Sequence, residues 1–149
     1  MRWIWKPFEG LTPHELYDLM QLRQVVFVVE QDCVYQDADG LDQQAWHLLG
    51  YRDEGLVGYL RAFGPGVTRD EAVIGRVVTS PSARGTGLGR PLMREGQARL
   101  VQTFGPAVIH LSAQAHLEGF YGSLGYAVTG PGYLEDGIPH LPMDRPAGA

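Results

Sequence analysis

The stretch whose reading decides the fold is Arg84-Gly85-Thr86-Gly87-Leu88-Gly89-Arg90. It follows the apolar run 72–79 (AVIGRVVT) and a Ser80-Pro81 break, and it opens the amphipathic segment 87–104. A strand that feeds a glycine-rich turn at a helix start gathers several backbone N–H groups around one concavity. The helix end adds about half a positive charge there, so the concavity suits a phosphate or diphosphate. Gly85, Gly87 and Gly89 let the backbone approach a ligand with no Cβ in the way. Arg84 and Arg90 bracket the turn with donors for phosphate oxygens. The turn therefore predicts a phosphorylated cofactor.

Upstream, Trp3-Ile4-Trp5 reads as a short first strand ending at Pro7. Thr12-Pro13-His14-Glu15 is a helix start, with Thr12 as N-cap, Pro13 in the first turn and Glu15 completing a capping box. Leu16, Leu19, Met20, Arg23 and Phe27 keep helical spacing to about Val28, although Val25, Val26, Val28 and Val29 weaken the last turn. Residues 30–44 read as a loop rich in aspartate. Residues 46–51 and 55–63 read as two strands joined by a tight turn at Asp53-Glu54.

Downstream of the glycine turn, Leu88, Leu92, Gly96, Leu100 and Phe104 recur every fourth residue, a helical stripe. Residues 108–112 form a strand, 116–124 a short helix ended by Gly125, 126–129 a strand, and the segment after Pro139 a last one. Strands in an antiparallel run, followed by strand–helix alternation, predict one mixed sheet with helices on both faces. No repeat or linker divides the 149 residues, so residues 1–149 read as one domain.

Composition narrows the class. Hydrophobic residues are 44% and charged residues 19%, a globular balance. A net charge of −5 argues against nucleic acid as a partner, leaving only a local basic patch at Arg76, Arg84, Arg90 and Arg94. Cys33 is the only cysteine, so no internal disulfide forms and a reducing, cytoplasmic compartment is expected. No apolar run approaches the roughly 20 residues that span a bilayer, and the N-terminus lacks a leader pattern. Trp3 and Trp5 fit either packing on the sheet or packing on a second subunit, as in a homodimer.

The spacing Gly85-x-Gly87-x-Gly89 does not match the dinucleotide pattern G-x-G-x-x-G, and no Lys-Ser/Thr pair makes it a triphosphate loop. Asp37-x-Asp39-Gly40 misplaces the glycine of a calcium loop and has Leu48 where the twelfth-position glutamate belongs. His47, His110, His116 and His140 lack zinc-ligand spacing, so no metal is expected. Arg84-x-x-Gly87-x-Gly89 after a strand resembles instead the R/Q-x-x-G-x-G/A hallmark of the GNAT superfamily of acyl-CoA-dependent N-acyltransferases. Gln114, seven residues before Tyr121 in Phe120-Tyr121-Gly122-Ser123-Leu124-Gly125-Tyr126, resembles the family's later motif. Val29-Glu30-Gln31-Asp32-Cys33 with Tyr35-x-Asp37-x-Asp39-Gly40, Ala113-Gln114-Ala115-His116-Leu117 and Glu135-Asp136-Gly137-Ile138-Pro139-His140 resemble the bacterial ElaA-like branch.

The resemblance implies an α/β (α+β) fold: a GNAT-like mixed, mostly antiparallel sheet with a V-shaped splay between the strands at 72–79 and 108–112. Acetyl-CoA would lie in the splay as co-substrate. It puts the CoA diphosphate on Arg84, Gly85, Thr86, Gly87, Leu88, Gly89 and Arg90, and the pantetheine arm along Val77, Val78 and Thr79. Gln114 stands where relatives carry Asn, facing that arm. Tyr121 is the expected general acid, since a phenol of reference pKa about 10 stays protonated at neutral pH. Glu30, Asp136, His116 and His140 are candidate bases, with Glu30 foremost, and Glu30, Asp32, Asp136 and His140 are placed on the acceptor side. With a lone, idle Cys33, direct attack by a primary amine of a small molecule or peptide is preferred to an acyl-enzyme. A non-catalytic acyl-CoA sensor is the alternative, and a nucleotide-binding regulatory domain a second one.

Overall fold

A computed structural model describes residues 1–149. One eight-stranded sheet runs in the order β1-β2-β3-β4-β5-β8-β6, with β7 pairing β8 off this path. The strands are β1 (Arg2–Pro7), β2 (Trp46–Arg52), β3 (Gly55–Phe63), β4 (Ala72–Thr79), β5 (Ile109–Gln114), β6 (Ala127–Val128), β7 (Tyr133–Glu135) and β8 (Ile138–Arg145). Every neighbouring pair is antiparallel except β4 and β5. The helices are α1 (Pro13–Arg23), α2 (Gly89–Phe104) and α3 (Glu118–Gly122). The expected mixed, mostly antiparallel sheet with helices on both faces is the fold observed.

Strand alternation sorts the core into two layers. Leu48, Leu60, Ile74, Ile109, Leu111 and Met143 face Leu92, Met93 and Leu100 of α2, together with Tyr121 of α3. Leu49, Tyr51, Tyr59 and Val78 face Leu19 and Leu22 of α1. Trp5 stacks on Trp46 at 5.3 Å between ring centroids, and Trp3 packs against the α2 layer, so both tryptophans pack on their own sheet. No helix is long and apolar enough to cross a membrane.

The helix start at Thr12 holds in detail: Glu15 N–H donates to Thr12 Oγ1 (3.1 Å), and Thr12 N–H donates to Glu15 Oε1 (2.9 Å). The far end differs from the expectation of a helix to about Val28. α1 gives way at Gln24 to a π-helical turn, Gln24–Glu30, in which Cys33 N–H reaches back to Val28 O. The β-branched run crowds an α-turn, and here the turn widens rather than stops. α2 starts at Gly89, two residues later than read from the sequence, and β6 keeps only Ala127–Val128 of the expected 126–129. β7 was not foreseen. Asp136 and Gly137, both left-handed (φ 52° and 78°), form the two-residue turn of a β7–β8 hairpin, as a type I′ turn requires.

The aspartate-rich loop, read from sequence over 30–44, is held by buried ion pairs. Arg23, fully buried at the end of α1, places Nε 2.7 Å from Asp37 Oδ2 and Nη1 2.7 Å from Asp42 Oδ1. Arg61 of β3 grips Asp39 (2.6 Å) and Asp42 (3.0 Å), and Arg76 of β4 lies 2.8 Å from Asp37 Oδ1. Three guanidinium groups thus match three carboxylates and tie the loop to α1, β3 and β4. Arg61 donates two hydrogen bonds to Asp39 and holds its carboxyl well below the usual carboxylate range. Breaking a buried pair from one side costs about 3–5 kcal/mol, because the remaining charge stays buried. Asp37→Ala is expected to lower unfolding stability by that amount in a denaturant titration; a loss under about 1 kcal/mol would show that the loop is not held this way.

Candidate active site

β4 and β5 start as partners and then separate. Their register holds only at Ala72↔Ile109 and Val73↔His110. The cause lies in β4, where Tyr59 pairs with Val78 but Arg61 pairs with Gly75, so Arg76 and Val77 together oppose Leu60. This is a β-bulge, which bends the strand that carries it. Arg76 adopts φ 51°, a left-handed conformation that a non-glycine residue rarely holds. Its guanidinium is fixed from the far side by Asp37 and by Asp39 (3.3 Å).

Between the diverging strands lies a cavity of about 640 Å³. Val77, Val78 and Thr79 form one wall, and His110, Leu111, Ser112 and Gln114 the other; Tyr121 lies against them. Glu30, Gln31, Cys33 and Tyr35 from the π-turn and loop close one end together with Glu135, Asp136, Ile138 and His140 of the hairpin. Cys33 Sγ meets Asp136 O at 3.3 Å, joining the two lips. Asp32, expected on the acceptor side, is exposed and forms no part of this wall.

At the Arg84 edge of the cavity the glycine turn begins. Gly85 and Gly87 have φ 79° and 76°, and a Cβ at either would meet no atom within 4 Å. Thr86 folds back, donating from both N and Oγ1 to Ala83 O. The amides of Gly85, Gly87, Leu88, Gly89 and Arg90 find no backbone acceptor, which leaves them as open donors at the start of α2. Gly89 serves packing: a Cβ there would sit 3.2 Å from Phe120 Cζ. Phe120 also lies under Arg90 (5.6 Å), so the turn and the later aromatic motif are in contact. Arg84 pairs with Glu30 at 2.6 Å, and the guanidinium lowers the Glu30 pKa. Of the four arginines of the local basic patch that the sequence left possible, Arg76 and Arg84 are ion-paired, and Arg90 stacks on Phe120.

The Tyr121 ring packs edge-on against Phe120 (5.1 Å) and Tyr126 (5.9 Å) and is 6% exposed. Its hydroxyl has no hydrogen-bond partner, and burial pushes its pKa up to about 12.

The match with known proteins follows the same outline. A family model described as an acetyltransferase (GNAT) domain matches residues 16–146. The chain belongs to the GNAT acetyltransferase family. It is 42% identical over 137 residues to protein ElaA of Escherichia coli strain K12, covering 91% of this chain and 90% of ElaA. The UPF0039 protein sll0451 of Synechocystis is 40% identical over 144 residues, covering 96% and 94%. The crystal structure of an acyl-CoA N-acyltransferase from Pseudomonas aeruginosa superposes with a TM-score of 0.93 at 45% identity, covering 97% of this chain and 99% of that one. The chain is an acyltransferase of the ElaA-like kind.

Sequence reasoning missed the bulge at Arg76 and the arginines that hold the loop. Arg76 sits in a β-branched run interrupted by Gly75; a lone glycine inside a strand points to a bulge, but it does not mark the arginine after it as the left-handed residue. A left-handed conformation costs a side chain about 1–2 kcal/mol that glycine does not incur. Arg76→Gly and Arg76→Ala lose the same ion pairs, so the glycine variant is expected to be more stable by about 1 kcal/mol in parallel denaturation. An alanine variant equal or superior would contradict the left-handed bulge.

Proposed function

We propose that this acyltransferase moves an acetyl group from acetyl-CoA to a primary amine of a small molecule or peptide, by direct attack within a ternary complex. The observation that carries the reading is a wedge between β4 and β5 with open amides at one edge and a partnerless phenol on its wall. Amide donors at a helix start suit an anionic diphosphate, and the free space at Gly85 and Gly87 leaves room for one. The diphosphate lies on residues 85–90. The pantetheine arm runs along Val77, Val78 and Thr79, whose strand has lost its β5 neighbour, and pairs with it as an added strand would. Gln114 faces it from β5.

Acyl transfer needs a proton for the departing thiolate and donors for the charge that grows on the carbonyl oxygen. A backbone N–H near Val78 supplies the second. Tyr121 supplies the first: held neutral by burial, its hydroxyl has no competing partner. Glu30 is a weaker choice as base than the sequence suggested, because Arg84 stabilises its anion. The Glu30–Arg84 pair instead borders the cofactor entrance. Asp136 and His140 lie on the acceptor side. Cys33, the lone thiol, acts as a lip contact, and it fits a reducing, cytoplasmic setting.

Release of free CoA thiol from acetyl-CoA across a panel of primary amines tests the reading. Turnover with at least one amine is expected; acetyl-CoA binding without any thiol release would favour a sensor. With the best amine, Tyr121→Phe is expected to lower kcat about 100-fold while acetyl-CoA affinity by calorimetry stays within about threefold. Unchanged kcat would remove Tyr121 as the acid.

A further inference from the structure

The hairpin β7–β8 brings to the acceptor end of the cavity a histidine whose two nitrogens have different duties. His140 is 8% exposed and lines the cavity. Its Nδ1 lies 2.7 Å from Ile138 O. A carbonyl only accepts, so Nδ1 carries a proton in every charge state of the ring. The second nitrogen, Nε2, is then the one that gains or loses a proton, and it lies 3.4 Å from Glu135 Oε2. Tyr133 stacks against the ring (6.2 Å, 20°) and fixes its plane. Across β5 the register partner of His140 is Gln114, so the imidazole stands next to the strand that forms the cofactor wedge.

Glu30 and the other histidines are each engaged elsewhere or held in no fixed orientation. Glu30 is tied to Arg84. His110 uses Nδ1 on Asp144 (2.6 Å) and Nε2 on Arg69 (3.0 Å). His47 uses both nitrogens, on Tyr59 and on Asp42 O, within the buried arginine network. His116 is exposed and has no hydrogen bond that orients it. Among the histidines of the cavity wall, only His140 combines a fixed tautomer with a second ring nitrogen that makes no hydrogen bond, Glu135 standing beside it.

We propose that His140 is the proton acceptor for the amine, with Glu135 as the positioning carboxylate that stabilises the imidazolium. The inference rests on the acetyl-transfer reading above and adds a residue to it. The incoming ammonium gives one proton to Nε2, which makes the nitrogen lone pair available. That pair forms the N–C bond while the carbonyl pair moves to oxygen. On collapse the C–S bond breaks and Tyr121 protonates the sulfur. The nitrogen's second proton restores the Tyr121 hydroxyl through solvent, and the imidazolium returns its proton to bulk water. One proton thus appears in solution for each amide formed. The titratable groups at this end of the cavity are Glu135 and Asp136 on the hairpin, Tyr133 against the ring, Cys33 and Tyr35 from the loop, and Glu30 with its partner Arg84. β5 contributes the neutral Gln114.

His140→Asn preserves a donor for Ile138 O while removing Nε2. With an amine that the unmodified protein acetylates, its kcat/KM is expected to fall about 100-fold at pH 7. The deficit should shrink below tenfold near pH 10, where amines of pKa about 10.4 lose the proton unaided. A deficit under threefold at pH 7, or one constant across pH, would overturn the assignment. A second readout needs no activity: nitrogen-15 NMR of the free protein should show neutral His140 protonated at Nδ1. Protonation at Nε2 would refute the proposal even if acetyl transfer is confirmed. If no amine is acetylated, the acetyl-transfer reading fails, and this proposal with it.

Discussion

The conformation of Arg76 is the constraint on which the rest of the structure depends. A residue at φ 51° in the middle of a strand inserts one extra position opposite Leu60, and the strand turns away from β5 after two paired residues. Asp37 and Asp39 hold that arginine, Arg23 and Arg61 hold the aspartates, and those arginines belong to α1 and β3. The loop, the helix and the bulge are therefore one mechanical unit. Buried ion pairs are weak sources of net stability, since desolvation offsets attraction. Their value here is geometric: matched charges admit few arrangements, and the one observed keeps the wedge open.

Much of this architecture could be read from the chain because it is written in local patterns. The capping box at Thr12, the strand 72–79 and the glycine turn depend on neighbours within a few residues, and all three stand where they were expected. The arginine network joins residues 14 to 39 positions apart, such as Arg23 with Asp37 and Arg76 with Asp37, and no period links them. Read locally, Asp37-x-Asp39 is an acidic loop; in space it is neutral. The π-turn is a similar case. The valines that weaken the α-helix are visible, but their outcome, a wider turn rather than an end, is set by tertiary packing of Val26 and Arg23. β7 was hidden because its three residues flank a turn too short to show alternation.

The two halves of the cavity differ in what builds them. The side proposed for the cofactor is made from backbone: open amides, left-handed glycines and an unpaired strand edge. Only a few residue types permit such backbone, so the motif is conspicuous in sequence and the family match follows it. The side proposed for the acceptor is made from side chains on a loop and a hairpin, joined at Cys33 and Asp136. Loops of this kind carry specificity on a rigid scaffold. Their residues mean little until the fold brings them together, which is why the role proposed for His140 emerges only when Ile138, Glu135 and Gln114 are seen around it.

The central claim is that the turn at residues 85–90 and the open edge of β4 together seat coenzyme A in the wedge. A crystal structure of the protein grown with coenzyme A addresses it most directly. The account requires the diphosphate within hydrogen-bond distance of the amides of Gly85, Gly87 and Leu88, and the thiol within reach of the Tyr121 hydroxyl. Coenzyme A bound on another surface, or a thiol directed away from Tyr121, would contradict it.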